Sequence, residues 1–406
     1  MGKGSNSSGL RRYNERVLLT TLRKLKTASK ADLARLTDLT PQATTRIVDD
    51  LEAGDLVVRE GRRLGGKGQP SVMYGINPTG AYSIGVKVGR RDMDILLMDF
   101  GGAVLEKIGC DFECPEPEFL LDKIEQGIEA LSSKLSRREY GKLMGVGVAM
   151  PWFIGAWTQE LGMSEALAQQ WQEINFGEEV AKRTDLPVFF ENDCSAAAIA
   201  ELQFGHGIDV SNFLYMFIGT FIGGGLVLKG NLEAGVHGNA GAVASMPVPP
   251  SKLASTPPVE GPFELLLNRA SLFGLRRHLN ANGIAIKSVF ELDTVMDEAR
   301  PFVQEWLDDS ADALVYALLS AAGILDLEAV IFDTYLPRYL LIELVETISR
   351  RLHQVVPSGV FTPTILAGKV GGDAVAIGGA ILPFYSNFAP DKTVMLKGGI
   401  PERVSF

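Results

Sequence analysis

The chain has 406 residues, 46% of them hydrophobic and 22% charged, with a formal net charge of −10. That length leaves room for two or three domains with proper cores, and the composition is that of a globular protein rather than a disordered or fibrous one. No apolar run approaches the ~20 residues that span a bilayer, and the three cysteines are too few and too scattered for a disulfide framework or a four-ligand zinc site, so a reducing cytoplasm is the expected setting.

The first residues, MGKGSNSSGLRR, lack the apolar core of a secretory signal and read as a flexible arm over residues 1–12. From Arg12 to Lys26, Val17, Leu18, Thr21, Leu22 and Leu25 recur at helical spacing. Ser29 is placed to cap a second helix, with Asp32 in its first turn and Ala31, Leu33, Ala34 and Leu36 as its buried residues. Thr37-Asp38-Leu39 reads as a turn. Thr40 then caps a third helix that starts at Pro41, where a missing N–H costs nothing, and that Gly54 closes. Ile47, Val48 and Leu51 are expected to face inward. This leaves Gln42, Ala43, Thr44, Thr45 and Arg46 at the exposed N-terminal end, the end a helix-turn-helix presents to base edges.

Two strands follow, Leu56 to Arg59 and Val72 to Ile76. The segment between them, GRRLGGKGQPS, carries Arg62, Arg63, Lys67 and Gln69 and reads as a basic wing for phosphates or the minor groove. Residues 13–78 are thus expected to form a winged helix-turn-helix that binds double-stranded DNA, with Thr40 to Arg46 and the wing as its contact residues. Charge supports this division. Residues 1–80 hold 14 Lys and Arg against 8 Asp and Glu, whereas the remainder holds 25 against 41. A basic head on an acidic body suits a DNA reader joined to a soluble sensor.

The body, residues 79–406, opens with a strand pair from Tyr82 to Gly102. An acidic, Pro-rich stretch (Asp111 to Glu118) leads into a helix near Phe119 to Leu135. Leu143 to Met150 and Leu186 to Phe190 read as buried strands, the second running into Glu191-Asn192-Asp193 and a helix over Ser195 to Phe204. A second strand pair spans Asn212 to Leu232. The two strand–turn–strand units suggest a duplicated, two-lobed α/β domain with a ligand cleft, its second lobe starting near residue 212.

Four segments resemble the ROK family (repressors, open reading frames and kinases): VGVAMP at Val146 to Pro151, ENDCSAAAIAE at Glu191 to Glu201, IGTFIGGGLVLKGNLEAGVHGNAGA at Ile218 to Ala242, and VGGDAVAIGGAIL at Val370 to Leu382. The resemblance covers nearly the whole chain. It implies an actin-like, sugar-kinase-like fold behind the winged helix-turn-helix, and, for members with such a head, a homodimeric or larger repressor of carbohydrate genes. Such a repressor sits on a palindromic operator and is relieved by a sugar-like effector. It also implies that Asp193 occupies the position of a kinase's catalytic base, beside the sugar-holding Asn192.

The chain departs from the kinase pattern at several points. The family's Asp-x-Gly-Gly-Thr phosphate loop is replaced by Gly85-Val86-Lys87-Val88-Gly89-Arg90-Arg91, and a later Gly-Gly pair near adenosine by Ile331-Phe332-Asp333-Thr334. The sugar-contacting Glu and His after Gly238-Asn239-Ala240-Gly241 are replaced by Ala242-Val243-Ala244-Ser245. The Cys-rich zinc motif is replaced by Met246-Pro247-Val248-Pro249-Pro250, which has no zinc ligands. Neither phosphotransfer, nor a cofactor, nor a bound metal is therefore expected, and Asp193 is a vestigial base position. The expected effector contacts are Asn192, Asp193, Gly219, Thr220, Phe221, His237, Asn239 and Ser245, for a sugar or polyol. A ROK-type ATP-dependent sugar kinase is the alternative function, and a non-hexose ligand or a protein partner the alternative input.

Overall fold

The computed structural model describes residues 7–63, 70–155, 158, 162–286 and 288–390. Contacts divide the chain into two units: residues up to Glu191 together with those from Gly379 onward, and Asn192–Gly378. The second unit thus begins at Asn192, ahead of the strand pair near residue 212.

The first unit starts with the head. Helix α1 (Ser7–Leu25) begins inside the segment expected as an arm. Its buried face is Leu18, Leu19 and Leu22, while Leu25 is exposed at the C-terminal end. The short β1 (Thr27–Ala28) precedes α2 (Lys30–Thr37), which opens with a complete capping box: Ser29 Oγ accepts the Asp32 N–H and the Asp32 side chain accepts the Ser29 N–H. Asp38 closes α2 in the left-handed region at φ 54°. Leu33 and Ala34 are buried, whereas Ala31 and Leu36 face solvent, because an eight-residue helix offers only one narrow stripe to its neighbours. Helix α3 (Pro41–Ala53) carries the Thr40 cap and ends at Gly54. Strands β2 (Val57–Arg63) and β3 (Ser71–Ile76) pair antiparallel, with a register shift between Arg59 and Arg62 where Gly61 takes φ 105°. Strand β2 is longer than its sequence suggests, so Arg62 and Arg63 lie in paired strand rather than at the tip.

A five-stranded sheet forms the rest of the first unit: β4 (Tyr82–Val88), β5 (Asp92–Asp99), β6 (Val104–Asp111), β7 (Leu143–Met150) and β8 (Val188–Asn192), in the order β6-β5-β4-β7-β8. β4 runs antiparallel to β5 and parallel to β7. The edge strand β6 lacks the apolar alternation of a half-buried strand and is exposed along most of its length. Helices α4 (Pro117–Ser132), α5 (Arg137–Tyr140), α6 (Glu165–Glu173) and α7 (Phe176–Lys182) accompany this sheet in the chain.

The second unit repeats the order. Helix α8 (Asp193–Phe204) precedes β9 (Phe213–Ile218), β10 (Ile222–Leu228) and β11 (Asn231–Glu233). Strands β12 (Pro247–Val248) and β13 (Glu264–Leu265) pair with each other, followed by α9 (Leu266–Arg269), α10 (Leu272–Ala281) and the 30-residue α11 (Met296–Leu325). Strand β14 (Ala329–Thr334), α12 (Arg338–Val355) and β15 (Thr364–Ala367) complete a sheet ordered β11-β10-β9-β14-β15. Counted from its own first strand, each sheet has the order 3-2-1-4-5, which supplies the duplication that the sequence only suggests. The last helix among the described residues, α13 (Ala374–Phe388), returns the chain to the first unit. No helix among the described residues is long and apolar enough to cross a membrane.

Candidate functional site

In the head, the Thr40 side chain accepts the Ala43 N–H at 3.2 Å, and Pro41 fills the next position. This cap fixes the start of α3 and turns Gln42, Thr45 and Arg46 into solvent, with Ala43 half-buried. Thr44 does not join them. It lies one turn ahead of Ile47 and Val48 on the same helical stripe, is 0% exposed, and its Oγ1 has no hydrogen-bond partner among the described residues. Arg46 and Arg62 are exposed and enter no ion pair among the described residues, whereas Arg63 leans on Asp32 at 3.1 Å and Arg59 on Glu52 at 2.7 Å. Lys67 and Gln69 lie outside the described residues.

The expected effector residues all belong to the second unit. Asn192 caps α8, its Oδ1 accepting the N–H groups of Cys194 at 3.0 Å and Ser195 at 3.3 Å, and Asp193 Oδ1 accepts the Cys194 N–H at 2.8 Å. Both oxygens therefore do helix-capping work. Gly219, Thr220 and Phe221 form the β9–β10 turn. The carbonyls of Gly219 and Thr220 accept the N–H groups of Leu272 and Phe273 at the start of α10, and the Phe221 ring stands edge-on to Phe273 at 5.9 Å. His237, Asn239 and Ser245 are exposed beyond β11.

The glycine run of β10 explains how these pieces relate. A Cβ at Gly223 would overlap Cys194 Sγ, and one at Gly225 would come within 2.7 Å of Ala198 Cβ, both on α8. A Cβ at Gly224 would stand 2.8 Å from the Gly241 carbonyl. Successive strand positions point to opposite faces, so α8 packs on one face and the Gly241 turn on the other. Gly223 to Gly225 thus serve close packing, of α8 on one face and of the Gly241 turn on the other.

At the two stretches that the resemblance matches to nucleotide-gripping loops, this chain has buried polar side chains with internal partners. In the β4–β5 hairpin Lys87 is buried and pairs with Asp92 and, at 3.4 Å, with Asp94. In β14 Asp333 is fully buried and accepts the Tyr215 hydroxyl at 3.1 Å. Burial, then the nearby Glu201 carboxylate, push the Asp333 carboxyl up to about 7. Glu201 is itself buried and accepts the N–H groups of His206, Lys369 and Val370. A lone Asp directly after the apolar run Ala329 to Phe332 was the signal in the sequence; that it would face Tyr215 and Glu201 was not readable there.

The segment that replaces the zinc motif is held by an ion pair. Arg269 and Asp309, both nearly inaccessible, meet through two bonds, Nη2 to Oδ1 at 2.7 Å and Nε to Oδ2 at 3.0 Å. Arg269 also donates to the Pro249 carbonyl, and Asp309 accepts Ser251 Oγ and the Lys252 N–H. Further along the loop, Ser255 Oγ bonds His278 Nδ1 at 2.7 Å, and His278 Nε2 meets Glu305 at 3.0 Å, tying the loop to α10 and α11. No group of three or more His, Cys, Asp or Glu among the described residues is arranged to hold a metal.

Residues 83–384 match the model of the ROK family. A protein named y4fQ from Sinorhizobium fredii is 25% identical over 92% of this chain and 91% of its own length. The xylose repressor of Bacillus spizizenii is 27% identical over 59% of this chain, and the match spans 61% of that repressor. Among solved structures, a ROK family transcriptional regulator, a homologue of the Escherichia coli Mlc protein, superposes with a TM-score of 0.66 at 21% identity, covering 94% of this chain and 97% of its own. At that identity the likeness speaks for the fold.

Proposed function

The chain belongs to the ROK family, and from that premise we propose that it is a cytoplasmic, sequence-specific DNA-binding regulator that represses carbohydrate-related genes. The observation that carries this reading is the capped α3, with Gln42, Thr45 and Arg46 in solvent beside the paired β2–β3 wing, on the same chain as a ROK domain. The relatives named for repression support it. As a homodimer, the protein would set two such helices on a palindrome with half-sites ~34 Å apart or a multiple of that. The effector is a sugar or polyol, with xylose the first to test, and it acts by binding the DNA-competent and incompetent states unequally. The domain does not transfer phosphate in this reading, which is supported by buried Lys87 and Asp333, with internal partners, at the stretches that the resemblance matches to a nucleotide grip.

The experiment selects a duplex from random sequence with the purified protein. Its affinity is then measured by fluorescence anisotropy against unselected duplex, with and without xylose, glucose, glucose 6-phosphate and polyols. Equal affinity for selected and unselected DNA would sink the regulator reading. Phosphorylation of a sugar by Mg-ATP that disappears in Asp193→Asn would replace it with a kinase reading.

A further inference from the structure

The turn that ends α3 is fastened to the sheet-bearing part of the first unit, and the fastening is polar. Gly54 caps α3, and Asp55 follows in the left-handed region at φ 63°. The Asp55 carbonyl accepts Asn77 Nδ2 at 2.7 Å, and its carboxylate accepts the same group at 3.0 Å. The carboxylate also accepts Lys142 Nζ at 2.5 Å, with the Arg138 guanidinium at 3.5 Å. Lys142 in turn donates to the Thr79 carbonyl at 2.7 Å, and its own carbonyl accepts the Tyr82 N–H that opens β4. A Cβ at Gly80 would come within 2.5 Å of the Asp55 carbonyl, so the linker passes flush against the turn. The Lys142 bond holds the Asp55 carboxyl below the usual carboxylate range.

We propose that the Asp55–Lys142 pair is a positioning clasp: it sets the direction in which α3 leaves the lobe, and through α3 it aims Gln42, Thr45 and Arg46 at DNA. The proposal rests on the DNA-reading function. The clasp joins the C-terminal end of α3 to the loop between α5 and β7, while Arg138 comes from α5 itself. One end of the DNA-facing helix is therefore referenced to the sheet and not merely to the head's own core. Side chains of Asp55 and Lys142 are 46% and 21% exposed, and pairs that open to solvent contribute little to stability. Losing the clasp should therefore change aim without unfolding the head.

Asp55→Asn and Lys142→Met test this in the full chain, because they change net charge by the same amount in opposite senses as seen by DNA. A purely electrostatic effect on a polyanion strengthens binding in Asp55→Asn and weakens it in Lys142→Met. A positioning role weakens both for the duplex selected by the wild type, by about tenfold, with affinity for unselected duplex and the melting temperature nearly unchanged and Lys142→Arg close to wild type. Asp55→Asn binding the selected duplex as tightly as the wild type, or more tightly, overturns the clasp while leaving the regulator reading intact. If the wild type itself does not prefer its selected duplex, the regulator reading falls, and the clasp falls with it.

Discussion

Asp333 is a carboxyl with no exposed surface, and its proton links its stability to pH. The folded protein holds that proton up to about pH 7, whereas an unfolded chain releases it near pH ~4. Between those values the folded state binds more protons, so stability falls as pH rises through the window and the loss is complete above it. The scale is on the order of 4 kcal/mol at most for this one group. Asp333→Asn keeps the shape and an acceptor for Tyr215 but has nothing to ionise. We expect it to raise the melting temperature at pH 8, to change little at pH 5, and so to flatten the profile measured by differential scanning fluorimetry. Thr44 offers a second single-residue test. Its hydroxyl is buried without a partner, and replacing such a group by an apolar one of the same shape is neutral or stabilising. Thr44→Val should match or exceed the wild type in stability by up to ~1 kcal/mol and leave DNA affinity unchanged. A tenfold loss of DNA affinity would show that Thr44 reaches DNA after all.

At the scale of elements, the head was the most legible part of the sequence. Ser29 with Asp32 and Thr40 with Pro41 are local signals, and local chemistry fixed both helix starts. What escaped was whatever depends on which face meets a neighbour: Thr44 inward, Leu36 and Leu25 outward, Arg62 and Arg63 in a paired strand. Strand β6 was missed because an exposed edge carries no apolar alternation to read. Glycine roles were equally hidden, since a phosphate loop and a close helix contact leave the same letters. Gly85 in β4 and Gly147 in β7 make this concrete. A Cβ at Gly147 would overlap the Gly379 carbonyl, and one at Gly85 would overlap Ala380, so both strands are bare where α13 lies on them. Gly147→Ala is expected to cost ~3 kcal/mol or more and to lower the melting temperature sharply, because the clash is with backbone and cannot be relieved by a rotamer change. On the DNA side, Arg46→Ala should relax sequence choice, while Arg62→Ala should lower affinity for all duplexes and reduce the salt slope by ~1.

On the scale of the whole molecule, internal pairs stand at two stretches where the resemblance places ligand motifs. Arg269 with Asp309 holds the segment where the resemblance places a zinc motif, and Lys87 with Asp92 closes a hairpin where it places a phosphate loop. A chelator should accordingly leave the melting temperature within a degree or so of the untreated protein, whereas Asp309→Ala, which strands a buried guanidinium, should cost ~3–5 kcal/mol. Both are read from thermal unfolding. The path of the backbone has a consequence of its own. Residues 192–378 form an excursion that leaves the first unit and comes back to it through α13. That helix meets the bare glycines of β4 and β7, and Arg16 of α1 donates to the Ala389 carbonyl just past its end. The amino-terminal unit is thus finished only by residues that follow the second unit in the chain. A premature stop anywhere before residue 379 would remove more than the second unit. It would leave the first unit without its closing piece, so, on the proposed function, truncated products should fail as repressors and not persist as free-standing DNA binders.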